Sequence, residues 1–222
     1  MAEEKIYSII VIDDHPLIHN GLKTLLATEK NIIIAASCLS GAEAMQQLQK
    51  KRFDLAIVDL SLSDSDGTYL VQRINAKYPS LRIIVYSMSE ERVYAERVAL
   101  AGASGYVMKT AEPSILKQAI QAILQGHLFF EENIQQRLVR REKGKPTRPQ
   151  SLLDNLSNRE MDVFQLIGQG LNTVKIGSKL DISRNTVDTH RINIKRKLEL
   201  SSGKALDRMA YEVVMLGKMP KA

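Results

Sequence analysis

Four places in the sequence put a reactive polar side chain directly after a short apolar run: Val-Ile-Asp13-Asp14, Val-Asp59, Val-Tyr-Ser87 and Val-Met-Lys109. Three carboxylates gathered together repel one another, and the grouping becomes reasonable around a hard cation with oxygen ligands, for which Mg²⁺ is the obvious candidate. Asp59 would then be a carboxylate nucleophile towards a phosphoryl group. The cation, the Lys109 ammonium and the Ser87 hydroxyl would balance the negative oxygens, and the product would be an acyl phosphate. Taken singly, each residue has a plainer role: Asp13 or Asp14 caps the helix after Pro16, and Lys109 is a solvated loop residue. Their coincidence at successive run ends argues for a site.

The elements around these residues favour that grouping. From residue 6 to 125, short β-branched runs alternate with segments of helical period, as in a doubly wound α/β domain. Strands are read at Tyr7–Ile12, Ile32–Ser37, Leu55–Asp59, Arg82–Ser87 and Gly105–Met108. Helices are read at Pro16–Thr28, Gly41–Lys51, Gly67–Lys77, Glu90–Ala101 and Glu112–Gln125. The third and fourth strands are almost wholly apolar, which suits parallel strands covered on both faces. In such a sheet, ligands bind beyond the carboxyl ends of the strands, where Asp13, Asp14, Asp59, Ser87 and Lys109 fall.

Residues 5 to 128 resemble the receiver domain of two-component response regulators. The resemblance rests on Val-Ile-Asp13-Asp14-His15-Pro16, Val-Asp59-Leu-Ser-Leu with Gly67, Val-Tyr-Ser87, and Gly102-Ala-Ser-Gly-Tyr106-Val-Met-Lys109. It implies a flavodoxin-like five-stranded parallel sheet and phosphorylation at Asp59. It further implies Mg²⁺ ligation by Asp14, Asp59 and the Ser61 carbonyl, with Asp13 acting through water. Ser87 and Lys109 would contact the phosphoryl group, and Tyr106 would be the aromatic that rotates between outer and inner positions. Two departures stand out. Ser63 occupies a position usually held by proline, which would loosen that loop, and Met88 follows Ser87 where a small residue is usual, which would narrow access to Asp59.

After Phe130 the alternation stops. Gln135–Gln150 carries Arg140, Arg141, Lys143, Lys145, Arg148 and two prolines with little apolar content, and reads as a linker. The division expected is 1–130, a linker at 131–151, and 152–222. Four helical segments follow the linker, at Asn158–Gly168, Thr173–Leu180, Asn185–Leu198 and Lys204–Leu216, with no strands, so the second domain is small and all-α. Ile176, Leu180, Ile182 and Val187 are spaced to pack two short helices across a tight turn, with Ser183 capping the second. That second helix carries Arg184, Asn185, Thr189, His190, Arg191, Lys195 and Arg196. Short polar side chains combined with cations suit a helix placed in the DNA major groove, although a solvated face is the plainer alternative.

Leu156-Ser157-Asn-Arg159-Glu160, Gly170-Leu-Asn, Ile182-Ser183, Thr186-Val187, His190, Ile194 and Lys197-Leu198 are similar to the LuxR-type helix-turn-helix. With the receiver, the whole chain resembles the NarL/FixJ family of response regulators. By position, the resemblance implies DNA contacts from Arg184, Asn185, Thr186, Asp188, Thr189, Arg191 and Lys195, with Lys175 near the backbone. His190 would be structural or touch a phosphate. Asp188 replaces a usual lysine, and would either accept from a cytosine amino group or favour the helix N-terminus electrostatically. The partners implied are double-stranded DNA, a sensor histidine kinase or small phosphodonor, RNA polymerase, and a second copy of the chain in the active state.

Composition agrees with this division. The 222 residues are 44% hydrophobic and 25% charged, enough for a proper core. The net charge of +6 is uneven, with 13 Lys and Arg against 14 Asp and Glu up to residue 130, then 18 against 11. The basic second half suits nucleic acid. One cysteine, Cys38, excludes an internal disulfide framework and points to a reducing compartment. With no signal-peptide pattern and no apolar run of membrane-spanning length, the expected setting is the cytoplasm, without membrane contact.

Two rival functions remain open at this level. Asp64-Ser-Asp66-Gly67-Thr68 matches the signature of aspartate-nucleophile phosphatases, but falls five residues beyond the strand end where that signature belongs, so an enzyme is not expected. The other rival is a receiver that acts solely through protein contacts.

Overall fold

The computed structural model describes residues 5–62, 67–88, 91–132, 134–136, 138 and 152–218. Ser63, the Asp64 to Asp66 part of the phosphatase-like signature, and the linker cations Arg140, Arg141, Lys143, Lys145 and Arg148 lie outside the described residues. The chain divides into two compact units, Met1–Gly144 and Lys145–Ala222.

The first unit is built on five strands, β1 (Tyr7–Ile12), β2 (Ile32–Cys38), β3 (Leu55–Val58), β4 (Arg82–Ser87) and β5 (Gly105–Met108). They form one parallel sheet in the order β2-β1-β3-β4-β5. Helices α1 (Pro16–Leu26), α2 (Gly41–Lys50), α3 (Gly67–Lys77) and α4 (Glu91–Leu100) make the crossovers, and α5 (Pro113–Leu124) follows β5. Alternation along the strands buries both faces. Ile9, Val11, Leu55, Ile57, Ile84 and Val107 pack with Leu22 and Leu26 of α1 and Leu116, Ala119, Ile120 and Ile123 of α5. Ile10, Ile12, Ala56, Val58, Ile83 and Val85 face the other way and are fully buried. Each such Ile or Leu contributes about 1.5–3 kcal/mol, which holds the strand ends to a fixed position.

The order 2-1-3-4-5 reverses direction between β1 and β3, the point at which such sheets bind ligands. Ile12 pairs with Val58, and the Asp59 N–H donates to the Ile12 carbonyl at 2.9 Å. Asp13 and Asp59 therefore leave adjacent strands at the same level.

The second unit opens with a short 3-10 turn, Leu152–Asn155, followed by α6 (Asn158–Gly168), α7 (Thr173–Leu180), α8 (Arg184–Lys197) and α9 (Gly203–Val214). A capping box starts α6: the Ser157 hydroxyl accepts from the Glu160 N–H, and the Glu160 carboxylate accepts from the Ser157 N–H. Asn172, Ser183 and Ser202 cap α7, α8 and α9 in turn. Met161, Phe164, Ile167, Ile176, Val187, Ile194, Leu198, Leu206, Ala210 and Val213 form the core of this bundle.

Candidate functional site: an acidic pocket and a polar helix

Asp13 and Asp59 are each 2% exposed, and Lys109, at the end of β5, spans them. Its ammonium lies 2.7 Å from Asp59 Oδ2 and 2.7 Å from Asp13 Oδ2. Burial alone would lower the Lys109 pKa, but the charges and hydrogen bonds of Asp59 and Asp13 outweigh it and raise the pKa above its ordinary value. The lysine is thus a fixed positive charge.

Asp14 completes the carboxylate group. One ligand atom each from Asp13, Asp14, His15 and Asp59 falls within a set whose members all lie within 4.8 Å of one another. Two carboxylate charges at that separation repel by about 3 kcal/mol at an effective dielectric of 20. One ammonium does not balance three of them. His15 Nδ1 lies 2.8 Å from Asp14 Oδ1 without hydrogen-bond geometry, so among the described residues that buried oxygen has no hydrogen-bond partner. An orphaned carboxylate oxygen among oxygen donors fits a hard divalent cation.

The neighbouring residues are positioned by the backbone. Asp59 Oδ1 accepts from the Ser61 N–H at 3.2 Å, so the chain turns at Leu60. Gly67 lets the start of α3 approach that turn, its N–H donating to the Leu60 carbonyl at 3.2 Å. A Cβ there would lie 2.4 Å from the Leu60 Cα and 2.6 Å from the Asp59 carbonyl oxygen, distances no side chain tolerates. Ser87 is fully buried at the end of β4, and its carbonyl accepts from the Lys109 N–H at 2.8 Å. Tyr106 is buried, 1% exposed, and occupies an inner position on β5. Met88 is 61% exposed and stands in solvent immediately after Ser87. β3 ends at Val58, and Gly67 and Thr68 open α3, so this half of the phosphatase-like signature sits at a helix start.

In the second unit, α7 and α8 are joined by Asp181, Ile182 and Ser183, with Asp181 in the left-handed region (φ 52°). The exposed side of α8 carries Arg184, Asn185, Thr186, Thr189, Ile192 and Arg196, with Asp188 and Lys195 half-buried at its edges. Arg184 lies 3.8 Å from Asp188, a solvent-screened pair one turn apart. The Thr186 hydroxyl meets that of Ser183, and the Thr189 hydroxyl donates to the Asn185 carbonyl. Lys175, on α7, is exposed. His190 is half-buried beside Glu160 and Arg159 of α6, and burial holds its pKa below the usual imidazole range. Arg191 is held by Asp207 of α9 at 2.7 Å.

Three features escape a reading of residue types alone. Gly177 approaches the turn so closely that a Cβ would lie 2.7 Å from the Ile182 carbonyl oxygen. Ile192 is 60% exposed in the middle of the polar side of α8, a signal visible as an isolated apolar residue on a polar stripe. The pairing of Arg191 with Asp207 depends on how α9 packs, and no local pattern announces it.

The arrangement has clear counterparts. Residues 9–121 match the response regulator receiver domain, and residues 154–210 match the bacterial regulatory proteins of the luxR family. The chain is 31% identical to the transcriptional activator protein ExaE of Pseudomonas putida, over 94% of this chain and 97% of that one. It is also 31% identical to the nitrate/nitrite response regulator protein NarP of Escherichia coli, over 91% and 93%. Among solved structures, the isolated receiver domain of RcsB from Salmonella enterica serovar Typhimurium, in the presence of the phosphomimetic BeF3-, covers 60% of this chain and 98% of that chain. It superimposes with a TM-score of 0.55 at 26% identity. The chain therefore belongs to the response regulators that join a receiver domain to a LuxR-type helix-turn-helix, with NarL- and NarP-type proteins among its relatives. Among the described residues, no helix is long and apolar enough to cross a membrane.

Proposed function

We propose that Asp59 accepts a phosphoryl group and that its phosphorylation controls dimerisation and DNA binding through α8. The observation that carries the reading is the Lys109 ammonium held between Asp59 and Asp13 at 2.7 Å, beside the orphaned Asp14 oxygen. Asp13, Asp14, Asp59 and the Ser61 carbonyl would hold Mg²⁺, which supplies charge neutralisation for the carboxylates and the incoming phosphoryl oxygens.

An Asp59 carboxylate oxygen attacks phosphorus as the bond to the donor breaks. The donor is a phosphohistidine on a sensor kinase or a small acyl phosphate. Lys109 and the Ser87 hydroxyl then turn to the new phosphoryl oxygens, and Tyr106 repacks beside them. This phosphoryl transfer releases the dephosphorylated donor and leaves the chain modified once, so it acts as a switch and not as an enzyme.

For the output, Asn185 and Thr189, exposed on α8, would read base edges. Arg184, Thr186 and Asp188 sit at the start of that helix, and Lys195, Arg191 and Lys175 would meet phosphates. His190 serves as internal support. A two-fold dimer would read half-sites about ten base pairs apart or a multiple of that, with RNA polymerase as a further partner in the cytoplasm. The limits proposed for the parts are 1–130 for the receiver, 131–151 for the linker and 152–222 for the DNA-binding domain. The functions named for ExaE and NarP support this reading.

Incubation with acetyl phosphate and Mg²⁺, followed by peptide mass spectrometry, tests the acceptor. One phosphoryl group on the Asp59 peptide, absent in Asp59→Asn and in EDTA, is expected. An adduct that survives either change would place the acceptor elsewhere.

A further inference from the structure

His19 lies one turn into α1, is 5% exposed, and meets the backbone of the acidic pocket at Asp13. Its Nε2 is 2.7 Å from the backbone carbonyl oxygen of Asp13. A carbonyl can only accept, so Nε2 carries the hydrogen, and the ring donates it across the β1 to α1 connection. The other ring nitrogen, Nδ1, is buried with no hydrogen-bond partner among the described residues. An apolar side chain would fill this space without burying an unsatisfied nitrogen, so packing alone is a poor account of a histidine here. What the ring adds is its hold on one carbonyl.

That carbonyl matters because of what shares its peptide plane. All four polar atoms of Asp13 are engaged: its N–H with the Cys38 carbonyl at 3.1 Å, its carbonyl with His19, Oδ1 with the His15 N–H at 2.9 Å, and Oδ2 with Lys109 at 2.7 Å. The Asp14 carboxylate is held less firmly: its buried Oδ1, though 2.8 Å from His15 Nδ1, has no hydrogen-bond partner among the described residues. The Asp13 carbonyl and the Asp14 nitrogen belong to one planar peptide. Fixing the carbonyl fixes the direction in which the Asp14 backbone, and with it the carboxylate, leaves β1.

We propose that His19 is a positioning residue for the cation site: its Nε2–H orients the Asp13–Asp14 peptide and thereby aims the Asp14 carboxylate at Mg²⁺. The inference rests on the reading of the pocket as a Mg²⁺ site. Outer-shell partners of metal ligands characteristically change affinity by about 10-fold or more when removed.

The test is Mg²⁺ titration of the full-length protein by calorimetry, with the wild type beside three variants. His19→Leu keeps the volume and removes the donor. His19→Gln places an amide N–H near the position of Nε2. Leu22→Ala, from the same helix and 3% exposed, loosens packing without touching the pocket. About a 10-fold weaker Mg²⁺ affinity in His19→Leu, recovery in His19→Gln and unchanged affinity in Leu22→Ala are expected. Unchanged affinity in His19→Leu, or equal weakening in the Leu and Gln variants or in Leu22→Ala, would overturn the positioning role while leaving the Mg²⁺ site standing. A wild type that takes up no Mg²⁺ would overturn both.

Discussion

Arg191 of α8 and Asp207 of α9 are joined at 2.7 Å, so a cation on the helix assigned to DNA is already engaged by a carboxylate. The aspartate is 54% exposed, and a surface pair of this kind contributes only about 0.2–1 kcal/mol to stability. Its larger effect is on recognition, because the carboxylate offsets the attraction of Arg191 for a phosphate. Asp207→Asn is expected to tighten binding to specific and scrambled duplexes alike and to steepen the salt dependence by about one unit. Arg191→Ala should weaken both and flatten the slope. Binding isotherms at several salt concentrations decide the point, and wild-type behaviour in both variants would remove Arg191 from the interface.

Lys109 gives a prediction about stability. Its pKa is raised, so the contribution of the bridge is complete below the ordinary lysine value of 10.5 and is lost only as pH rises through the still higher folded value. At neutral pH Lys109 is fully charged. Lys109→Ala removes the cation that spans Asp13 and Asp59, and should cost about 3 kcal/mol in EDTA. Mg²⁺ should restore more stability to this variant than it adds to the wild type. Urea denaturation with and without the ion measures both effects.

Glu160 provides the opposite pH dependence. Burial would raise its pKa, but the Lys197 ammonium at 2.6 Å and the Ser157 N–H at 2.7 Å outweigh that and hold it below 4.5. Its stabilisation is therefore present above pH 4.5 and is lost as pH falls through the depressed folded value. Glu160→Gln should cost about 1 kcal/mol at neutral pH and should weaken the acid dependence of the helix-turn-helix unit. Thermal unfolding across the acid range, followed by circular dichroism, checks it.

These residues mark how far the sequence could be read. The apolar runs Leu-Ala-Ile-Val and Ile-Ile-Val-Tyr located the central strands because burial on both faces leaves little other choice, and the polar residues at their ends placed the pocket. Boundaries shifted where capping decides them: α1 stops at Leu26, not Thr28, and Glu112 stands outside α5 as its N-cap. The grip of His19 on the Asp13 carbonyl was invisible, since a histidine on a helical face looks the same whether it packs or donates. Gly177 carries no local signal either, because its role depends on where the Ile182 carbonyl lies after the turn has closed.

Gly177 yields a separable test. The Cβ of Gly177→Ala would meet the Ile182 carbonyl oxygen at 2.7 Å, and overpacking of this kind costs about 1–3 kcal/mol. The variant should lose DNA affinity and still accept a phosphoryl group at Asp59. Duplex binding and phosphopeptide mapping on the same preparation separate the two outcomes.

The central claim is that the modification of Asp59 governs the behaviour of α8. Its most direct measurement is DNA affinity of the full-length protein, with wild type and Asp59→Asn titrated onto a duplex selected for binding, with and without acetyl phosphate, in Mg²⁺ or EDTA. Tighter binding by the wild type only when donor and Mg²⁺ are both present, with no response from Asp59→Asn, is the result expected. An equal response from Asp59→Asn, or a wild-type affinity that ignores the donor while Asp59 is demonstrably phosphorylated, would contradict it.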